Sequence, residues 1–166
     1  MSHSTHPYQK ELEVATLAVK RASLLTKQLS DSIVQTAKSG ILTKDDKSPV
    51  TIGDFALQAI INHAIKLNFP NDEIVGEEDS KELQENSSLA DQVLSLITKI
   101  QKETSGYNDI VGTLTDKNKV FQSIDFGNSQ GGLKGRFWAL DPIDGTKGFL
   151  RGDQFAVCLA LIEDGK

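Results

Sequence analysis

The sequence predicts an α+β fold. Three stretches carry apolar residues at helical spacing, several short apolar runs bounded by turn residues read as strands, and the last of these runs ends in a hairpin signal. With 166 residues, 38% of them apolar and 25% charged, the chain has the make-up of one globular domain with a core of its own.

The elements follow in order. From about Pro7 to Leu29, the residues Leu12, Ala15, Val19, Ala22 and Leu25 recur at three- and four-residue steps and predict an amphipathic helix. Ser30 to Lys47 is polar with Gly40 and predicts a short irregular or β connection. Within it Lys44-Asp45-Asp46-Lys47 reads as a solvated charge cluster. Thr51 and Asp54 match a capping box, Thr51 as N-cap and Asp54 at N3. They open a helix to about Asn68, with Leu57, Ile60, Ile61, Ala64, Ile65 and Leu67 apolar. Phe69 to Asp72 is a turn, and Glu73 to Gly76 a short strand ending in Glu77-Glu78-Asp79.

Leu89, Val93, Leu96, Ile97 and Ile100 mark a third amphipathic helix over Ser88 to Lys102. Lys119 to Phe126, with Val120, Phe121, Ile124 and Phe126 apolar, reads as a strand. Asp125-Phe126-Gly127 looks like a kinase metal-binding tripeptide, but no glycine-rich nucleotide loop accompanies it and it is discounted. Phe137 to Leu140 reads as the end of a buried strand, with Trp138 in the core. Gln154 to Ile162 is almost continuously apolar and predicts a strand buried on both faces, in which Cys158 is a small buried hydrophobe. Glu163-Asp164-Gly165-Lys166 is a tight hairpin turn and calls for a returning strand. The expectation is therefore the front part of a longer fold, with an apolar strand offered at an edge for self-association or a companion chain.

Charge and composition exclude several classes. A net charge of −5 argues against nucleic-acid binding, which needs a basic surface. No apolar run approaches the roughly 20 residues of a membrane span. The first ten residues lack an apolar signal core, and a single cysteine leaves no internal disulfide, so the chain reads as cytoplasmic. His3, His6 and His63 show no ligand spacing.

The chemistry centres on Trp138 to Arg151. The strand end delivers Asp141 and Asp144 into a turn stiffened by Pro142 and relaxed at Gly145. Two carboxylates three residues apart can converge on one point with the Ile143 carbonyl between them. Hard cations such as Mg²⁺ take such oxygen ligands. An ordinary Asp-x-x-Asp loop remains the competing reading. Asp54 has a structural explanation as a cap and a functional one at a helix start, and Glu77-Glu78-Asp79 is either a solvated loop or a ligand cluster. Lys134, Arg136, Lys147 and Arg151 either steer an anion or balance the acids.

Three motifs occur in the order of a known family: Ser48-Pro49-Val50-Thr51 through Asp54, Val75-Gly76-Glu77-Glu78, and Trp138-Ala139-Leu140-Asp141-Pro142-Ile143-Asp144-Gly145-Thr146. Together they resemble the inositol monophosphatase superfamily of Mg²⁺-dependent, lithium-sensitive phosphatases. Gly145-Thr146-Lys147-Gly148-Phe149 and Arg21-Ala22-Ser23-Leu24-Leu25-Thr26 are similar to the fungal 3′(2′),5′-bisphosphate nucleotidase group within it, tied to sulfate assimilation and salt tolerance. The resemblance implies the N-terminal part of a layered αβαβα fold, with a largely antiparallel sheet and packed helices. It implies two or more Mg²⁺ ions on Glu77, Asp141, Asp144 and the Ile143 carbonyl. It further implies a water oriented by Thr146 hydrogen-bonded to Asp54, and phosphate cradled by the amides of Gly145 and Thr146. The implied substrate is a small nucleotide bisphosphate, adenosine 3′,5′-bisphosphate, cleaved to AMP and phosphate, with 3′-phosphoadenylyl sulfate as a further substrate. The alternatives are an inositol phosphate phosphatase and an inactive truncated homologue.

Overall fold

The computed structural model describes residues 6–39 and 49–166. Its centre is a helix. Pro49–Asn68 (α2) is buried on nearly every side, through Phe55, Ala56, Leu57, Ile60, Ile61 and Ile65. A helix that is apolar all round belongs in an interior. Gln9–Ser39 (α1) lays a narrower stripe of Val14, Ala18, Ala22 and Leu25 against it. Lys81–Glu85 (α3), Ser87–Glu103 (α4), Asn108–Val111 (α5) and Lys117–Asp125 (α6) follow, and α4, α5 and α6 all pack on α2. Arg21 is fully buried in this helical layer. Its guanidinium donates to the Thr104 hydroxyl and carbonyl, the Gly112 carbonyl and the Asn108 side chain at 2.6–3.1 Å.

The sheet has three strands in the order β1-β2-β3: Glu73–Val75 (β1), Arg136–Asp144 (β2) and Ala156–Glu163 (β3). β1 pairs with β2 in parallel, and β2 with β3 antiparallel over the longer run. The sheet is thus mixed, with its antiparallel pairing dominant. Alternation in the register puts Ile74, Trp138 and Leu140, opposite Leu161 and Leu159, on the helix side. Thr146–Arg151 (α7) connects β2 to β3.

Several expectations change here. α1 continues through Ser30 to Ser39, so the connection predicted over Ser30 to Lys47 is helical in its first part. The remainder, including the Lys44–Lys47 cluster, lies outside the described residues. α2 opens at Pro49, which suits a first helical position because proline has no amide proton to leave unpaired. Thr51 and Asp54 are therefore already inside the helix, and the capping box predicted for them does not form. Lys119 to Phe126 is helical, not a strand. The Asp116 side chain accepts the Lys119 amide at 2.9 Å and caps α6, turning Val120 and Ile124 into the core.

β3 is not buried on both faces. Val157, Leu159 and Leu161 are partly buried against the core, whereas Ala156, Cys158 and Ala160 are exposed. Among the described residues nothing covers that second face, and no strand pairs with the outer edge of β3. Cys158 is accordingly an exposed free thiol. The hairpin turn does form. Asp164 (φ 49°) and Gly165 (φ 76°) are both left-handed, and Glu163 and Lys166 exchange backbone hydrogen bonds at 3.0 and 3.1 Å. That is the type I′ pattern, which matches the twist of antiparallel strands.

Candidate active site

Three chain segments bring acids to one region. The first is α2. Asp54 lies in its opening half, and the preceding Gly53 is in contact with Ile143. A Cβ at 53 would stand 3.2 Å from Ile143 Cδ1. The lack of a side chain at 53 lets the helix approach the strand that carries Asp141 and Asp144.

The second segment is the acidic turn after β1. Gln58, one helical turn beyond Asp54 and fully buried, reaches this turn. Its Oε1 accepts the amides of both Glu77 and Glu78 at 3.0 Å, and its Nε2 donates to the Glu78 carbonyl at 2.7 Å. At the far end of the turn, Asp125 accepts the Ser80 amide at 2.9 Å and the Ser80 hydroxyl at 2.7 Å. Asp125 of the discounted tripeptide thus has a structural task.

The third segment is β2 beyond Leu140. Asp141 and Asp144 lie within the strand, flanking a register shift, rather than in a turn after it. The irregularity frees the Pro142-Ile143 peptides from regular pairing. The chain turns one residue later, where Gly145 takes φ 87° and α7 begins at Thr146. That left-handed conformation suits glycine. The Thr146 hydroxyl donates to the Ile143 carbonyl at 3.4 Å. It is not bonded to Asp54, so the expected Thr146–Asp54 hydrogen bond is absent here.

The electrostatics tie the segments together. The Asp54 carboxyl is pushed up to about 7, first by burial and then by the negative charges of Glu78, Glu77 and Asp141. Glu78 is raised too, by burial and by Glu77 and Asp79. The Cys158 thiol, opposite Asp141 in the register, is raised by burial and by Asp144 and Asp141. This locus has an excess of negative charge. Among the described residues, however, no group of three or more His, Cys, Asp or Glu side chains is arranged to hold a metal ion. The donor set fits a hard cation in its chemistry, with oxygen ligands only and uncompensated charge. Its acids gather around the locus without closing on it.

The basic residues near the motif separate. Arg136 sits at the opposite end of β2 in a structural pair of contacts, to Asp72 at 2.9 Å and Glu11 at 2.9 Å. Lys134, Lys147 and Arg151 are exposed. Trp138 is in the core as expected, and its indole N–H donates to Asp72 at 2.8 Å. Sequence reasoning passed over Gln58 and Ser80 and discounted Asp125. The available signal was a polar pair, Gln58 and Asn62, spaced one turn apart in an otherwise apolar helix.

A sequence profile described as the inositol monophosphatase family matches residues 8–166. The chain is 94% identical over all 166 residues to "3′(2′),5′-bisphosphate nucleotidase 2" of Candida albicans, covering 46% of that protein. It is 52% identical over 159 residues to a 3′(2′),5′-bisphosphate nucleotidase of Emericella nidulans, covering 44% of it. It is 40% identical over 162 residues to "3′(2′),5′-bisphosphate nucleotidase 1" of Arabidopsis thaliana, again covering 44%. The chain thus spans a little under half the length of these curated relatives.

Proposed function

The chain belongs to the inositol monophosphatase family, and we propose that residues 1–166 are the N-terminal phosphatase domain of a 3′(2′),5′-bisphosphate nucleotidase. The reaction is hydrolysis of the 3′-phosphate of adenosine 3′,5′-bisphosphate to AMP and phosphate, extending to 3′-phosphoadenylyl sulfate. The observation that supports this reading is the gathering of Asp54, Glu77, Glu78 and Asp141 at one locus, where burial first and then the neighbouring negative charges push Asp54 up to about 7. Proteins place such excess charge where a cation or a proton transfer needs it.

In this reading two or more Mg²⁺ ions are held by Glu77, Asp141, Asp144 and the Ile143 carbonyl. When bound, Mg²⁺ supplies charge neutralisation on the phosphate and acidifies water. Asp54, poised near neutrality, accepts a proton from the attacking water at a carboxylate oxygen. Thr146 and the Gly145 amide orient the phosphate at the start of α7. The single free cysteine supports a reducing, cytoplasmic setting.

The test is phosphate release from adenosine 3′,5′-bisphosphate, with and without Mg²⁺, by the wild-type chain and by Asp144→Asn. The expected result is Mg²⁺-dependent release that the substitution abolishes. Release indifferent to both Mg²⁺ and Asp144 overturns the assignment.

A second reading draws on the unpaired outer edge of β3 and on the share of the relatives that the chain spans. β3 receives a companion chain or a second copy, and catalysis needs that partner. Sizing chromatography coupled to the same assay tests it. A monomer with full turnover excludes it.

A further inference from the structure

We propose that Gln58 is the positioning residue of the acidic site, tying the Glu77–Glu78 turn to the helix that carries Asp54. The inference rests on the reading that these acids form a cation site. It adds a residue that does not itself touch ion or substrate.

The geometry is specific to an amide. One atom of the side chain must accept two N–H groups, Glu77 and Glu78, and the other must donate to two carbonyls, Glu78 at 2.7 Å and Ile124 at 3.0 Å. Gln58 meets both demands and uses its full hydrogen-bonding capacity. A carboxylate would face two carbonyl oxygens, and an apolar residue would leave two amides of the turn without their acceptor. The main chain crosses the amide at the limit of contact. A Cβ at Gly76 would lie 2.8 Å from the Gln58 Cδ, and one at Gly127 would lie 2.8 Å from its Nε2. Asp125 holds Ser80 beyond the acids, so the turn is fastened at both ends.

The physical need is clear. Glu77, Glu78 and Asp54 repel one another, and an unfastened turn would swing its carboxylates apart into water. Two amide hydrogen bonds onto a buried side chain oppose that drift. They set the acids of the turn at a fixed distance from Asp54 before any cation arrives. Groups that orient ligands from behind in this way cost about 10- to 100-fold in metal affinity when removed.

The experiment uses the full chain with Mn²⁺ as the hard-cation probe. Free Mn²⁺ is read by electron paramagnetic resonance, and amide hydrogen exchange at Glu77 and Glu78 by NMR. Gln58→Leu keeps the volume and loses the bonds. Asn62→Leu removes the neighbouring buried amide, which bonds to the Ser123 and Ile124 carbonyls but not to the turn. We expect Gln58→Leu to speed exchange at both amides and to weaken Mn²⁺ about tenfold or more. Asn62→Leu should leave both readouts near wild type. If wild type binds Mn²⁺ and Gln58→Leu binds it equally, the positioning role alone is overturned. The same holds if Asn62→Leu weakens binding as much. If wild type itself binds no Mn²⁺, the cation-site reading fails and takes this inference with it. Should Gln58→Leu not fold, Gly76→Ala replaces it: the new Cβ displaces the amide and is expected to give the same two changes, and unchanged Mn²⁺ binding in that variant overturns the proposal.

Discussion

Gly53 of α2 packs closely on Ile143 of β2, with too little room between them for a methyl group unless the neighbours shift. A Cβ at 53 would stand 3.2 Å from Ile143 Cδ1 and 3.1 Å from Leu29 Cδ1. Gly53→Ala asks those side chains to give by a few tenths of an ångström and gains about 1 kcal/mol of helix propensity, so its net effect is small. Gly53→Val adds branching that cannot be absorbed and should cost about 1–3 kcal/mol. Urea unfolding of the two variants checks this, and equal midpoints would show that the approach of α2 to β2 is looser than described.

Stability should fall as pH rises through neutrality. Asp54 is raised from 3.8 to about 7 in the folded chain, so the folded state keeps a proton that the unfolded state has released. The stabilisation from that proton is complete below about pH 4 and disappears as pH climbs through about 7. Melting temperatures measured from pH 5.5 to 8 should decline, and Asp54→Asn should flatten the decline. A wild-type profile parallel to that of Asp54→Asn would refute the assignment.

Asp72 holds two partners on one oxygen. Its Oδ2 accepts the Trp138 indole N–H at 2.8 Å and the Arg136 Nε at 2.9 Å. Asp72→Ala strands a buried indole donor and should cost about 1–3 kcal/mol. Asp72→Asn keeps an acceptor and should cost less. Chemical denaturation of both variants separates loss of the acceptor from loss of the charge.

Cys158 gives a probe of the open sheet face. The native chain should take up one equivalent of a thiol reagent without denaturant, faster at alkaline pH because burial and Asp144 and Asp141 hold the thiol above its ordinary value. Protection that grows with protein concentration would show that β3 is covered by a second copy.

Much of this protein was written in local pattern. The 3.6-residue spacing in α1 and α4 follows from one apolar stripe per helix, and in α2 from apolar residues on nearly every side. The I′ turn at Asp164-Gly165 follows from the two residues that tolerate a left-handed backbone. Asp54, Glu77, Asp141 and Asp144 were visible as candidate acids, but local pattern left each a structural alternative, and only the resemblance of the three motifs to a family implied a shared site. Lys117–Asp125 was misread because Val120, Phe121 and Ile124 suit either period over so short a run, and the deciding cap, Asp116, lies outside it. Only tertiary structure decided which acids share a field, which residues fasten them and which face of β3 packs on the core. Gln58 and Glu77, Ser80 and Asp125, or Gly53 and Ile143 are far apart along the chain. Hydrogen bonds and Coulomb forces act through space, whereas periodicity reports only which way a side chain faces.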